Sequence, residues 1–155
     1  QDGAQHVLLN GEDVSEAIRT PEISYYASKV SAVPEVRRFL LETQRSMAKN
    51  SSILMDGRDI GTVILPDAPV KIFLTASAQS RAERRYKELI EKGQQVTMDG
   101  ILHDINERDR QDMTRAVAPL KQADDAVLLD TSSLTLEESI AAVLRIIREK
   151  TEEKA

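Results

Sequence analysis

Three short aliphatic runs, set between longer helical segments, constrain this chain most. Ile53-Leu54-Met55, Val70-Lys71-Ile72-Phe73-Leu74 and Ala126-Val127-Leu128-Leu129 are bounded by Gly, Pro, Ser and Asp and read as short buried strands, at about 52–56, 70–75 and 126–130. Helical spacing fills the intervals, at about 77–92, 98–116 and 135–149. Strands alternating with helices indicate an α/β chain with a parallel sheet and helices on its faces. The first run ends in a knot of opposite charges, Asp56-Gly57-Arg58-Asp59. Gly57 lets the backbone turn sharply there. The charged side chains then fan out at a strand end, the edge where open parallel sheets bind ligands.

The first fifty residues have a different texture. Val7-Leu8-Leu9 reads as a strand and Asn10-Gly11 as a tight turn, with Asp13-Val14-Ser15 leading into a short helical piece. Thr20-Pro21-Glu22 has the chemistry of a helix start, with an N-cap hydroxyl, Pro in the first turn and an acid near the positive dipole end. That helix runs to about Ala32. Pro34 starts or kinks a second one, with Val36, Leu40, Thr43 and Met47 on one face. Gln1-Asp2-Gly3-Ala4 reads as an exposed loop, and the last five residues as a fraying end. Gly93-Gln94 and Asp99-Gly100 read as turns or hinges.

Composition excludes several function classes. With 155 residues the chain supports one domain with a real core. Aromatic residues make up 3%, too few for platforms on which nucleic-acid bases stack. The formal charge of −5 gives no global field for polyanions, so any anion site is local. The absence of cysteine excludes disulfides, thiolate zinc sites and a cysteine nucleophile. No apolar run approaches the length of a membrane span. A cytoplasmic setting is expected, without nucleic-acid or membrane partners. His6 and His103 are isolated and read as surface residues.

Four constellations carry chemistry. In the knot, the Arg58 guanidinium suits a phosphate held in a bidentate fork. Asp59 can accept a hydrogen bond from an exocyclic amino group, and Asp56 can orient a magnesium ion through water. The alternative is a mutual salt-bridge cluster capping the strand. Ser28 and Arg37, either side of Pro34, offer a hydroxyl and a guanidinium to the acceptors of a pyrimidine edge, although both residue types are common on solvated helices. Arg108, Asp112 and Arg115 fall at i, i+4 and i+7 on one helical face. Together they suit a sugar and a phosphate, or else form an ordinary salt-bridge ladder. Arg81, Arg84 and Arg85 line a further helix, where Glu83, Glu88 and Glu91 could pair with them.

These segments, from Asn10-Gly11-Glu12-Asp13-Val14 to the last helix, resemble the bacterial cytidylate kinases, a branch of the P-loop nucleoside-monophosphate (NMP) kinases. The resemblance rests on the run 56–74, on 27–37 and on Glu107-Arg108-Asp109-Arg110-Gln111-Asp112-Met113-Thr114-Arg115-Ala116-Val117-Ala118-Pro119-Leu120. It implies transfer of the ATP γ-phosphate to CMP or dCMP, with Mg²⁺. Residues 1–20 would end the NMP-binding insertion, and 21–50 would form the NMP-binding helices. The remainder, 51–155, would belong to the core, with a helical lid at about 84–116. Ser28, Arg37, Arg58, Asp59, Arg108, Asp112 and Arg115 would bind the acceptor. Arg58, Arg85 and Arg115 would act in catalysis, and Arg85 and Arg110 on the donor side. Asp59 would read N4 of cytosine, and Asp56 would reach the metal through water. A monomer is expected.

The chain departs from the family at one motif. None of its six glycines (3, 11, 57, 61, 93 and 100) opens a G-x-x-x-x-G-K-[ST] loop. The central strand that carries this loop in the family is therefore expected to lie outside these residues, about seventy residues of a family-length chain preceding them. The rival readings are a non-catalytic arginine-rich module for RNA or protein, and a kinase for UMP or AMP.

Overall fold

The computed structural model describes residues 6–152. They separate into two compact units, one ending at Ser51 and the other beginning at Ser52. The expectations for 1–4 and 153–155 lie outside the described residues.

In the first unit, β1 (Leu8–Leu9) and β2 (Glu12–Asp13) pair antiparallel, Leu8 opposite Asp13 and Leu9 opposite Glu12. Asn10 and Gly11 turn the hairpin with φ of 52° and 88°, the left-handed pair that matches strand twist. Asp13 anchors its base, accepting from the Ser15 hydroxyl at 2.5 Å and the Ser15 N–H at 2.9 Å. His6 Nδ1 lies 2.7 Å from the other Asp13 oxygen, so His6 is exposed but not isolated. The Ser15 bonds, and then His6, hold the Asp13 carboxyl below the usual carboxylate range. After a 3-10 turn at Ala17–Arg19 comes α1 (Pro21–Ser31), capped by Thr20 Oγ1, which accepts from Ile23 N at 3.2 Å. Val33 is extended before Pro34, as the proline ring requires, and α2 (Pro34–Asn50) follows.

The inward face of α2 differs from the one its periodicity suggests. Leu40 and Met47 are 42% and 55% exposed, while Leu41, Gln44 and Ala48 are half-buried beside Val36. Phe39 is the most exposed of the helix's large apolar residues, at 77%. The packed side thus includes the polar Gln44 and leaves Leu40 and Met47 exposed.

In the second unit, β3 (Ile72–Thr75) and β4 (Val127–Asp130) form a parallel pair, Ile72 opposite Val127 through Thr75 opposite Asp130. The backbone bonds Val127 N to Lys71 O and Thr131 N to Thr75 O extend the ladder at both ends. The expected strand at 52–56 is not one: these residues carry no ladder, and Leu54 is 82% exposed. A strand exists only with a partner, and β3 pairs with β4 instead. Residues Ile60–Ile64 form a π-type turn closed by Leu65 N to Ile60 O at 2.7 Å. The half-buried Lys71 ties the following loop to the approach to β4, donating to Pro66 O and meeting Asp125 Oδ2 at 2.6 Å.

The crossover between β3 and β4 contains α3 (Ala78–Glu91) and α4 (Met98–Thr114). Ser77 and Thr97 cap them, accepting from Ser80 N at 3.1 Å and Gly100 N at 3.2 Å. Asp99-Gly100, read above as a hinge, lies inside the first turn of α4 because the Thr97 cap starts the helix earlier. The two helices pack through Ala82, Leu89 and Ile101, flanked by Tyr86, Leu102 and Ile105. Finally α5 (Leu136–Glu152) packs on β4 and buries Ile146. It continues past the expected fraying point, with Thr151 Oγ1 bonded to Ile147 O at 2.9 Å. Among the described residues no helix is long and apolar enough to cross a membrane.

Candidate active site

The knot after the unpaired apolar run is built by local necessity. A Cβ on Gly57 would stand 3.0 Å from Ile60 Cγ1, tight enough that the Ile60 side chain would have to give way. Asp59 precedes the π-type turn, and its carbonyl accepts from Val63 N at 2.9 Å. Its side chain is buried, 8% exposed.

From there the site is assembled across the unit. Arg58 Nε donates to Asp112 Oδ2 at 2.9 Å. Arg115 lies between two carboxylates, Nη2 3.5 Å from Asp59 Oδ1 and Nη1 3.8 Å from Asp112 Oδ1. Its Nε donates to Ala118 O at 2.6 Å, and Leu120 N donates to Asp112 O at 2.8 Å. These two bonds fold the segment after α4 back onto the helix. Asp112 is buried and Arg115 only 14% exposed, whereas Arg58 is 44% exposed. Two buried carboxylates thus hold two guanidiniums, one of them opening to solvent. Such groups need each other: removing one partner leaves an uncompensated buried charge. Arg58, the more exposed of the two guanidiniums, is the one that an incoming anion can reach.

The other sequence-derived candidates fall elsewhere. Arg108 is exposed, and its side chain forms no ion pair with the described residues. Asp56 is likewise exposed and stands outside the network. Arg85 pairs with Glu88 at 2.8 Å and Arg110 with Glu107 at 2.8 Å, each on its own helix. For these two the local ladder is what forms, and neither joins the network. Arg110 and Glu107 reinforce each other's charge, lowering the Glu107 carboxyl and raising the guanidinium. In the first unit, Arg37 Nη1 donates to Ser31 O at 3.1 Å, and Ser31 Oγ donates to Ser28 O at 2.8 Å. Ser31 therefore links Arg37 to the backbone of Ser28.

Sequence reasoning missed two features. Arg81 grips Asp109 with both terminal nitrogens, at 3.0 and 2.5 Å; nothing in the sequence pairs residues so far apart. Beside α3 lies an open cleft of about 240 Å³, lined by Ser80, Arg84, Lys87, Ser132, Ser133 and Thr135. Its edge is set by Arg84, which donates to Thr131 O, and by Ser77 N, which donates to Ser132 Oγ at 2.7 Å. The hydroxyl-rich run 131–133 was the available signal, but it also reads as a helix start.

Among the described residues no three His, Asp or Glu side chains gather to cage a metal. An exposed carboxylate such as Asp56 fits an ion carried mainly by phosphates and water, which is the habit of magnesium.

Comparison with known proteins agrees with the motifs. A family model described as "Cytidylate kinase" matches residues 1–149. The chain is 56% identical over 143 residues to the cytidylate kinase of Thermosipho melanesiensis, covering 92% of this chain and 66% of that protein. It is 49% identical over 151 residues to that of Carboxydothermus hydrogenoformans, covering 97% and 68%. With the Lactobacillus johnsonii cytidylate kinase it shares 51% over 150 residues, covering 97% and 65%. The chain spans about two thirds of the length of these curated relatives. With its parallel β3–β4 pair and helical crossover in place, the chain belongs to the cytidylate kinase family and has that family's α/β architecture.

Proposed function

We propose that this chain supplies the acceptor-binding and lid-bearing part of a kinase that phosphorylates CMP or dCMP. The observation that carries the reading is the network Arg58–Asp112–Arg115–Asp59, two cations and two buried acids at the end of an apolar run. A phosphate oxygen of CMP attacks the γ-phosphorus of ATP, the bond to the β-phosphate oxygen breaks, and ADP leaves with that bond's electron pair. Such transfer needs positioning and charge neutralisation, and no covalent enzyme intermediate.

Each residue has a part suited to its chemistry. Arg58 and Arg115 hold the acceptor phosphate through guanidinium forks. Asp112 addresses the ribose hydroxyls, and Arg108 the phosphate. Asp59 accepts from N4 of cytosine, where uracil would present a carbonyl oxygen and be repelled. Ser28 and Arg37 suit pyrimidine acceptors, an assignment that rests on residue type and on the family. Arg85 and Arg110 are donor-side cations, released from Glu88 and Glu107 when phosphate competes for them. Asp56 would hold Mg²⁺ through water, and the ion, bound with ATP, would supply charge neutralisation on the transferring group.

The domain reading accompanies this: 1–20 as the end of the NMP-binding insertion, 21–50 as its helices, and 84–116 as the lid. A cytoplasmic monomer is part of the same proposal. The test is a coupled assay for ADP formation across CMP, dCMP, UMP and AMP, with ATP and Mg²⁺, in a full-length family enzyme carrying this segment. CMP and dCMP should exceed UMP and AMP in kcat/KM by at least about tenfold. Equal turnover of all four would overturn the assignment.

A further inference from the structure

We infer that Arg81 is a positioning residue for the acceptor site, acting through Asp109 to set where Asp112 stands. The inference rests on the reading of Asp112 given above and extends it to a residue outside the site. Arg81 lies in the first turns of α3 and joins three elements through one guanidinium. Its Nε donates to Ala76 O at 3.0 Å, just beyond the end of β3. Its Nη1 and Nη2 donate to Asp109 Oδ1 and Oδ2 at 3.0 and 2.5 Å. A planar fork gripping both carboxylate oxygens fixes orientation as well as distance. The pair is partly withdrawn from water, at 35% and 26% exposed.

Apolar packing cannot do this job. The α3–α4 cluster extends along α4 only as far as Ile105. The remainder of α4 carries one large apolar side chain, Met113, which is 55% exposed. Polar bonds therefore hold this end of the helix: Arg81 to Asp109, Arg58 to Asp112, and Leu120 N to Asp112 O. Asp109 and Asp112 are three residues apart, hence neighbours on the helix surface. With Asp109 clamped to the end of β3, α4 can neither rotate nor slide without breaking the fork. Asp112 then meets Arg58 and Arg115 in one register. Released, it would shift by a fraction of a turn, enough to misplace an acceptor whose alignment sets the rate.

The test uses Arg81→Gln, Asp109→Asn and Asp112→Asn, alone and in combination, in a full-length family enzyme carrying this segment. Steady-state kinetics are measured for CMP and ATP separately. Arg81→Gln and Asp109→Asn should each raise KM for CMP about tenfold and change KM for ATP less than twofold. Arg81→Lys, which keeps the charge and loses the fork, should recover only part of the loss. Adding Arg81→Gln to Asp112→Asn should raise KM for CMP little further, because both changes act through one carboxylate. The inference is overturned if KM for CMP is unchanged in Arg81→Gln and Asp109→Asn, if KM for both substrates rises together, or if the double variant shows the full product of the single effects. Should Arg81→Gln fail to fold, the near-isosteric Asp109→Asn decides by the same criteria. An Asp112→Asn enzyme with unaltered KM for CMP would instead refute the underlying reading of Asp112.

Discussion

Arg58 Nε donates to Asp112 Oδ2 at 2.9 Å, joining the turn after the unpaired apolar run to the last turn of α4 across 54 positions of chain. The two ends of this bond are unequal, since Asp112 is buried and Arg58 is 44% exposed. The carboxylate is structural and electrostatic at once, and the guanidinium is partly free to change partners.

That inequality predicts an asymmetry in stability. Asp112→Ala should cost more than Arg58→Ala, because it takes an acceptor from Arg58 and from the nearly buried Arg115 at once, whereas after Arg58→Ala the Asp112 carboxylate still has Arg115 3.8 Å away. The expected losses are about 3 kcal/mol and under about 1 kcal/mol. Urea denaturation of the two variants measures both; equal losses would count against the burial argument.

Asp59→Asn tests discrimination. The carboxylate accepts only, whereas an amide can also present an N–H to the O4 of uracil. The ratio of kcat/KM for CMP over UMP should fall by about tenfold or more, with little change in KM for ATP. An unchanged ratio would remove Asp59 from base reading.

Gly57→Ala tests the turn that aims Asp59. The added methyl would lie 3.0 and 3.1 Å from Ile60 Cγ1 and Cδ1. Both atoms belong to the Ile60 side chain, which must give by a few tenths of an ångström at the start of the π-type turn. A loss of about 1–3 kcal/mol is expected from overpacking. Thermal melts give the stability change, and a variant as stable as the parent would show that the turn adapts.

Glu88 gives a prediction in pH. The Lys92 ammonium, and then the Arg85 guanidinium, hold its carboxyl below the ordinary value of 4.5. A depressed carboxylate contributes stability that is complete above the unfolded pKa and lost as pH falls through the folded one. Its contribution is therefore present at neutral pH and fades below about pH 4.5. An NMR titration of the Glu88 carboxyl should show a midpoint under 4.5, raised more by Lys92→Gln than by Arg85→Gln. A midpoint at or above that value would mean the pairs do not persist in solution.

The charged knot, the arginine series and the helix starts were all legible from residue order. The partners of those charges were not. Arg85 and Arg110 lie near acids on their own helices and close local pairs with Glu88 and Glu107. Arg81 has no acid three or four positions away, its nearest being Glu83 at i+2 on another face, and it crosses to Asp109. Local spacing gives Arg85 and Arg110 their partners and denies Arg81 one, and only the packing of α3 on α4 shows that Asp109 fills the place.

What the sequence by itself determined were features whose physics acts within a few residues. Thr20, Ser77 and Thr97 cap their helices because a hydroxyl needs only the N–H three positions on. Asn10-Gly11 turns a hairpin because its backbone preferences are its own. The tertiary structure alone decided that 52–56 carries no ladder while 72–75 does, and that Arg58 reaches Asp112. Strands and ion pairs are defined by what lies across space from them, and that is set by how the whole unit packs.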